Sequence, residues 1–221
     1  MFVLITAIAL FAAQIQKVQK DSAIIDHSDL PVGSSGIVVH HFDAEHSTIV
    51  ARAILVAPNK IRFATFKALA QPNLPKPKLL PQVGDEVIMG YLYDRALIIA
   101  PNYQTYTQLA NVLGLELLHP DLFAAELAKA KHPAPSKEDF ENFCDKFAVG
   151  KVVIALQNEA KVVDCYSFAT LQTLPLTSES NETKLPFYTR INKISGSLFS
   201  FFGSDEITDY FTYYQRLTER R

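Results

Sequence analysis

The stretch from Ala96 to Cys144 limits what this chain can fold into more than any other. The apolar run Ala96-Leu-Ile-Ile-Ala100 has the length of a buried strand and is too short for a buried helix. Pro101-Asn102 ends it, and the period then changes. Tyr103, Tyr106, Leu109, Ala110 and Leu113 recur at helical spacing, and Gly114 closes the helix. Leu115–Leu118 reads as a short strand, and Pro120 stands in the first turn of a second helix, Asp121–Lys131. Beyond Pro133-Ala-Pro135, Ser136 is an N-cap with acidic residues behind it; the helix it opens carries Phe140, Phe143, Cys144 and Phe147. Val149–Leu156 is a further buried strand, and Ala160–Leu174 is read as one more strand with its continuation. Strands alternating with helices call for a layered α/β unit.

Ahead of this stretch the signals are mostly β. Ile15, Val18, Ile24 and Ile25 flank the Lys20-Asp21-Ser22 turn as a hairpin. Ile37–His40, Thr48–Val56, Ile61–Phe66 and Val83–Ile88 follow as short strands between Gly, Pro and Asn clusters, the pattern of a small barrel or sandwich. Gln71–Pro81, with Pro72, Pro75, Pro77 and Pro81, can be neither helix nor central strand and is expected to be an extended surface connection. The expected fold class is therefore α/β (α+β): a small barrel-like β-rich part, residues 14–95, packed on a layered α/β part, residues 96–221. In the latter, Pro175–Pro186 is a polar loop. Ser204-Asp205 is expected to cap a last helix with Tyr210, Phe211, Tyr213, Tyr214 and Leu217 on one broad face, buried against its own domain or a partner.

The apolar run from Phe2 to Phe11, ending in Ala12-Ala13, has the length of a signal-peptide core and is too short to span a bilayer. Residues 1–13 are read as a signal peptide cut after Ala12 or Ala13, although no basic residue precedes Lys17, with an N-terminal buried strand or helix as the alternative; the chain is placed in the periplasm or at the cell surface. Its two cysteines, Cys144 and Cys165, are either two buried thiols or a disulfide. A bridge would close a loop of about 20 residues and stabilise by about 3 kcal/mol. Spacing alone does not decide between them.

The formal net charge is -2 with Lys and Arg scattered, so the basic stripe needed for a nucleic acid is missing. His40, His41 and His46, with Asp43 and Glu45, form a metal-like cluster by composition. On a strand, however, His40 and His41 face opposite ways, so solvated turn residues are expected. His119-Pro120-Asp121 shapes a strand-to-helix corner, with Asp121 favoured at the helix N-terminus. There is no Gly-x-Ser-x-Gly, His-Glu-x-x-His or Gly-x-x-x-x-Gly-Lys, and Gly33-Ser-Ser-Gly36 lacks the context of a phosphate loop. No catalytic, metal or cofactor residue is assigned, and no cofactor is expected. Glu179-Ser-Asn181-Glu-Thr183 matches the extended acceptor of bacterial N-glycosylation and marks Asn181 as a glycan site.

Gly84-Asp85, Leu97-Ile-Ile-Ala-Pro-Asn102, His119-Pro-Asp-Leu-Phe-Ala124, Asp139-Phe-x-x-Phe-Cys144 and Pro186-Phe-Tyr188 together carry a resemblance. From about Ser22 to Arg221 the chain resembles the N-terminal domain family of the plasminogen-binding protein PgbA, found in host-associated spiral Gram-negative bacteria. The resemblance implies an envelope or surface protein without enzymatic activity that engages a protein partner, host plasminogen in the named members. Plasminogen kringles bind lysine, which makes Lys76 and Lys78 the candidate contacts, with Lys129, Lys131 and Lys184 as further exposed lysines. The chain departs from the pattern in ending Glu219-Arg220-Arg221 rather than in lysines, and arginine differs from lysine in shape and hydration. Binding through internal lysines alone is expected to be weak. The alternative is a periplasmic enzyme whose site is assembled from distant residues.

Overall fold

The computed structural model describes residues 11–67, 79–177, 182–191 and 207–219. Lys76, Lys78, Asn181 and the proposed Ser204-Asp205 cap lie outside them. The chain divides between Tyr93 and Asp94 into two compact units.

The first unit is a closed barrel of six antiparallel strands. These are β1 (Phe11–Val18), β2 (Ser22–Ile25), β3 (Ser35–His41), β4 (Ser47–Ala57), β5 (Lys60–Ala64) and β6 (Glu86–Met89), in the order β1-β2-β5-β4-β3-β6. The expected hairpin is present, with Ile15 opposite Ile25 and Val18 opposite Ala23. Alternation at period two sends Ala13, Ile15, Ala23, Ile25, Val38, Ala51, Ala53, Leu55, Ile61, Val87 and Met89 into one core. Many of these are alanines because a barrel this narrow leaves little room at its axis. Gly36 has a related cause. A Cβ there would stand 2.4 Å from the Ile88 carbonyl oxygen and 2.8 Å from the Met89 Cα, both rigid backbone, so β3 and β6 approach only because the side chain is absent.

Phe11, Ala12 and Ala13, read from sequence as the end of a leader, are the first residues of β1. They pair with Met89, Ile88 and Val87 of β6, and this pairing closes the barrel. A chain beginning at Gln14 should therefore be less stable than one beginning at Phe11, by on the order of 2 kcal/mol from the lost ladder bonds. Parallel thermal melts of the two chains measure the difference, and equal midpoints would mean that closure does not depend on these residues.

The second unit carries a five-stranded sheet in the order β11-β10-β9-β7-β8. Its strands are β7 (Arg95–Ile99), β8 (Glu116–Leu118), β9 (Lys151–Ala155), β10 (Glu159–Asp164) and β11 (Thr170–Pro175). β7 runs parallel to both β8 and β9, while β9, β10 and β11 form an antiparallel meander. The sequence reading of Ala160–Leu174 as a strand and its continuation becomes two strands reversed by the turn at 165–169. That turn is held by Asp164, whose carboxylate accepts the Tyr166 and Ser167 amides at 2.9 and 2.7 Å.

Helix α1 (Tyr103–Leu113) links β7 to β8, and helices α2 (Pro120–Ala130) and α3 (Lys137–Phe147) link β8 to β9. Each begins on a side-chain cap. Asn102 caps α1, His119 caps α2, and Ser136 with Asp139 forms a full capping box on α3. Gly114 ends α1 in the left-handed conformation at φ 59°. The final helix α4 (Tyr210–Glu219) starts later than expected. Asp209, which accepts the Thr212 amide at 2.6 Å, does the work assigned from sequence to Ser204-Asp205.

Both faces of the sheet are covered, which is why β7 reads as a continuous apolar run. Ala96, Ile98, Val153 and Val162 pack with Leu109 and Leu113 of α1. Leu97, Ile99, Val152, Ile154 and Val163 pack with Phe123, Phe140, Phe143, Tyr210 and Tyr214 from the other helices. The aromatic face of α4 thus docks on its own domain, with Tyr210 and Tyr214 fully buried. Cys144 on α3 and Cys165 in the β10–β11 turn are joined by a disulfide, their Cα atoms 6.2 Å apart, inside this second core. Reduction, or the Cys144→Ala/Cys165→Ala pair, should cost about 3 kcal/mol on the loop-entropy argument. That corresponds to a fall in melting midpoint of roughly 10 °C for a unit of this size, read by calorimetry with and without reductant.

Candidate functional site

In α/β sheets, the crevice beyond the carboxyl ends of parallel strands is where ligands bind. Here the ends of β7 and β8 deliver Ala100-Pro101-Asn102 and His119-Pro120-Asp121, and a distant segment, residues 182–191, crosses them. The Lys184 amide donates to the Pro101 carbonyl and the Tyr188 amide to the Ala100 carbonyl, each at 2.7 Å. Asn102 Nδ2 donates to the Glu182 carbonyl at 2.9 Å. Phe187 is wholly buried and stacks on Phe123 of α2, with ring centroids 5.6 Å apart and planes 16° apart. This strap fills the crevice from within the chain.

Asp121 is its fastener. The carboxylate accepts the Thr189 hydroxyl at 2.7 Å and the Arg190 amide and Nε at 2.8 Å each. Burial would raise its pKa, but the hydrogen bonds from Thr189 and Arg190 outweigh burial and hold the carboxyl at about 2. The same pairing pushes the Arg190 guanidinium upward. His119 uses Nδ1 as an acceptor for the Asp121 amide at 3.2 Å, which leaves the proton of the neutral ring on Nε2. Burial lowers its pKa, against the pull of Asp121, which favours that neutral form.

Around the strap stands a group of rings. Tyr188 lies 5.6 Å from Tyr103, 5.5 Å from Tyr106 and 6.3 Å from His119, and Tyr106 lies 5.4 Å from His119. Burial raises the phenols of Tyr106 and Tyr188, so both keep their protons at neutral pH. Sequence reading had His119 and Asp121 as a structural corner, and that role is present. It missed Tyr188, Thr189 and Arg190, because Thr189 is 68 residues from Asp121 and no local pattern links them. The available signal was Pro186-Phe-Tyr188, an aromatic pair ending a polar loop.

The other candidates do not converge. His40 bonds Asp85 at 2.7 Å, His41 bonds Glu86 at 2.9 Å, and His46 folds back on Asp43 at 2.8 Å. Among the described residues no three His, Cys, Asp or Glu side chains are arranged to hold a metal ion. Lys129 and Lys131 are exposed at the end of α2. Lys184, expected to be exposed, is half-buried and donates through Nζ to the Thr189 carbonyl inside the strap.

Residues 11–218 match the family model described as plasminogen-binding protein pgbA N-terminal. The chain belongs to this family. It is similar to the plasminogen-binding protein PgbA of Helicobacter pylori strains J99 and 26695, at 28% identity over 198 residues in each case. The alignment covers 87% of this chain and 43% of each relative, so the chain spans less than half the length of the curated relatives it matches. No solved structure matches it. Within the family domain, the Asp121 fastening is an internal contact between the second helix and the strap.

That contact sets a pH dependence. A carboxyl whose pKa is lower in the folded state contributes stability above its unfolded value, near 3.8, and loses it as the pH falls toward about 2. Asp121→Asn should therefore be less stable than the wild type at pH 7. The gap between the two should close between about pH 4 and pH 2, as urea midpoints taken across that range will show. A gap independent of pH would assign the loss to packing instead.

Proposed function

We propose that this chain is a non-catalytic, exported domain of the bacterial envelope that engages a protein partner, with plasminogen as the first candidate. Its match to a plasminogen-binding protein family over residues 11–218 carries the reading. Two structural features support it. The crevice in which an α/β enzyme gathers its catalytic groups is filled by the strap. The buried Cys144–Cys165 disulfide suits an oxidising compartment, as expected for a periplasmic or surface protein. Among the described residues no helix is long and apolar enough to cross a membrane. On this reading the apolar N-terminal run, read from sequence as a signal peptide over residues 1–13, directs export, and Asn181 carries a glycan.

A kringle recognises an ammonium flanked by an apolar stem and an anionic counterpart. Of the lysines in the described residues, Lys129 best meets those needs. It lies on the rim of a groove of about 360 Å³ between α2 and α3, which is floored by Phe123, Leu127 and Phe143 and bordered by Glu126 and Asp139. Lys131 is exposed two residues on. Single internal lysines without a lysine-rich tail bind weakly, because linked sites normally supply the apparent affinity.

Plasminogen on a sensor surface should accordingly bind the chain with a Kd above about 1 µM. A free lysine analogue should abolish the signal, and Lys129→Ala/Lys131→Ala should weaken it by about tenfold, or 1.4 kcal/mol. Binding indifferent to the analogue removes the kringle reading. Analogue-sensitive binding unchanged by the double substitution moves the contact to the proline-rich connection with Lys76 and Lys78.

A further inference from the structure

We propose that the ring cluster at the strap is a binding site for a carboxylated sugar, formed by Tyr103, Tyr106, His119, Tyr188 and Arg190. This goes beyond the protein-partner reading and does not depend on it. Three observations converge.

The first is the set of polar groups left over after the fold has used the rest. Among the described residues, the hydroxyls of Tyr103, Tyr106 and Tyr188 make no hydrogen bond. Nor does His119 Nε2, since its Asp121 contacts run through Nδ1. Arg190 spends Nε on Asp121, which leaves its two terminal nitrogens to a ligand on a side chain 67% exposed. Everything offered is a donor, apart from phenols that can do either. Lys184, bonded to the Thr189 carbonyl, adds a positive charge within the same strap while Asp121 and Arg190 neutralise each other. Such a site takes an acceptor-rich anion.

The second is the shape of that anion's partner surface. The rings neighbour one another at 5.4 to 6.3 Å with interplanar angles from 38 to 65°, and Tyr103 is 63% exposed. Flat apolar faces bordered by hydroxyls suit the C–H face of a pyranose, while the free edge of Arg190 has the fork geometry that receives a carboxylate in two bonds.

The third observation weighs against a phosphate anchored on helix amides. A phosphate site at a strand end draws on free amides of a helix N-terminus. Here α1 has its Thr105 amide taken by Asn102 and α2 has its Asp121 amide taken by His119. What the guanidinium and the rings offer together is a carboxylate on the fork with a sugar ring on tyrosine.

The test is a nitrogen–proton NMR titration of the full chain with D-glucuronate, using D-glucose, acetate and inorganic phosphate as comparisons. Glucuronate is expected to shift the amides of Tyr103, Tyr106 and Tyr188–Ile191 with a Kd on the order of 1 mM, and the other three to bind at least about tenfold more weakly. Tyr103→Ala, at an exposed position, should lose about tenfold in affinity while the remaining spectrum stays unchanged. Arg190→Lys keeps a charge beside Asp121 but loses the fork, and should lose as much. Absence of glucuronate shifts, equal binding of glucose, acetate or phosphate, or undiminished binding by Tyr103→Ala each overturns the proposal.

Discussion

A parallel strand buried on both faces ends in carbonyl groups that no neighbouring strand satisfies, and leaving them unpaired away from water is costly. At the end of β7, Ile99 and Ala100 are 0% and 1% exposed. Their partners come from far along the chain. The Tyr210 hydroxyl of α4 donates to the Ile99 carbonyl at 3.0 Å, and the strap supplies the Tyr188 and Lys184 amides to Ala100 and Pro101. The last helix and the strap are thus both anchored by the needs of a single strand end. Asp121, at the next strand end, completes the attachment with a carboxylate held ionised far into the acid range.

This attachment has a functional consequence. A sheet of this design ordinarily leaves its carboxyl-end crevice open for a substrate, and the surrounding helix N-termini add amides and a favourable dipole. Here the caps take the Thr105 and Asp121 amides, and Phe187 packs against Phe123 beneath the strap. What remains at the surface is made of side chains: tyrosine rings, an imidazole edge and an exposed guanidinium. Function follows from the site rather than from the fold.

The barrel meets a different constraint. Six strands close around an axis too narrow for large side chains on every strand, so alanines alternate with Ile, Leu and Met in its core. Closure itself rests on β1 meeting β6, and at that junction the apolar residues 11–13 are structural. An apolar N-terminal run and a buried first strand draw on the same residue types. Composition alone does not separate them.

What the sequence determined follows from local physics. Apolar runs bounded by Pro and Gly located the strands, helical spacing and the Ser136 cap located the helices, and the change of period after Pro101 marked where the helices begin. Those signals act over a few residues and are written in adjacent positions. The tertiary structure alone decided three other matters. It made the strand read through Ala160–Leu174 into a hairpin, because the Asp164 turn needed its partners in space. It bridged Cys144 and Cys165, whose spacing was compatible with either state. It brought Tyr188, Thr189 and Arg190 onto His119 and Asp121. Pairing across nearly 70 residues leaves no periodicity and no motif, since what selects it is the unsatisfied backbone at the end of a strand.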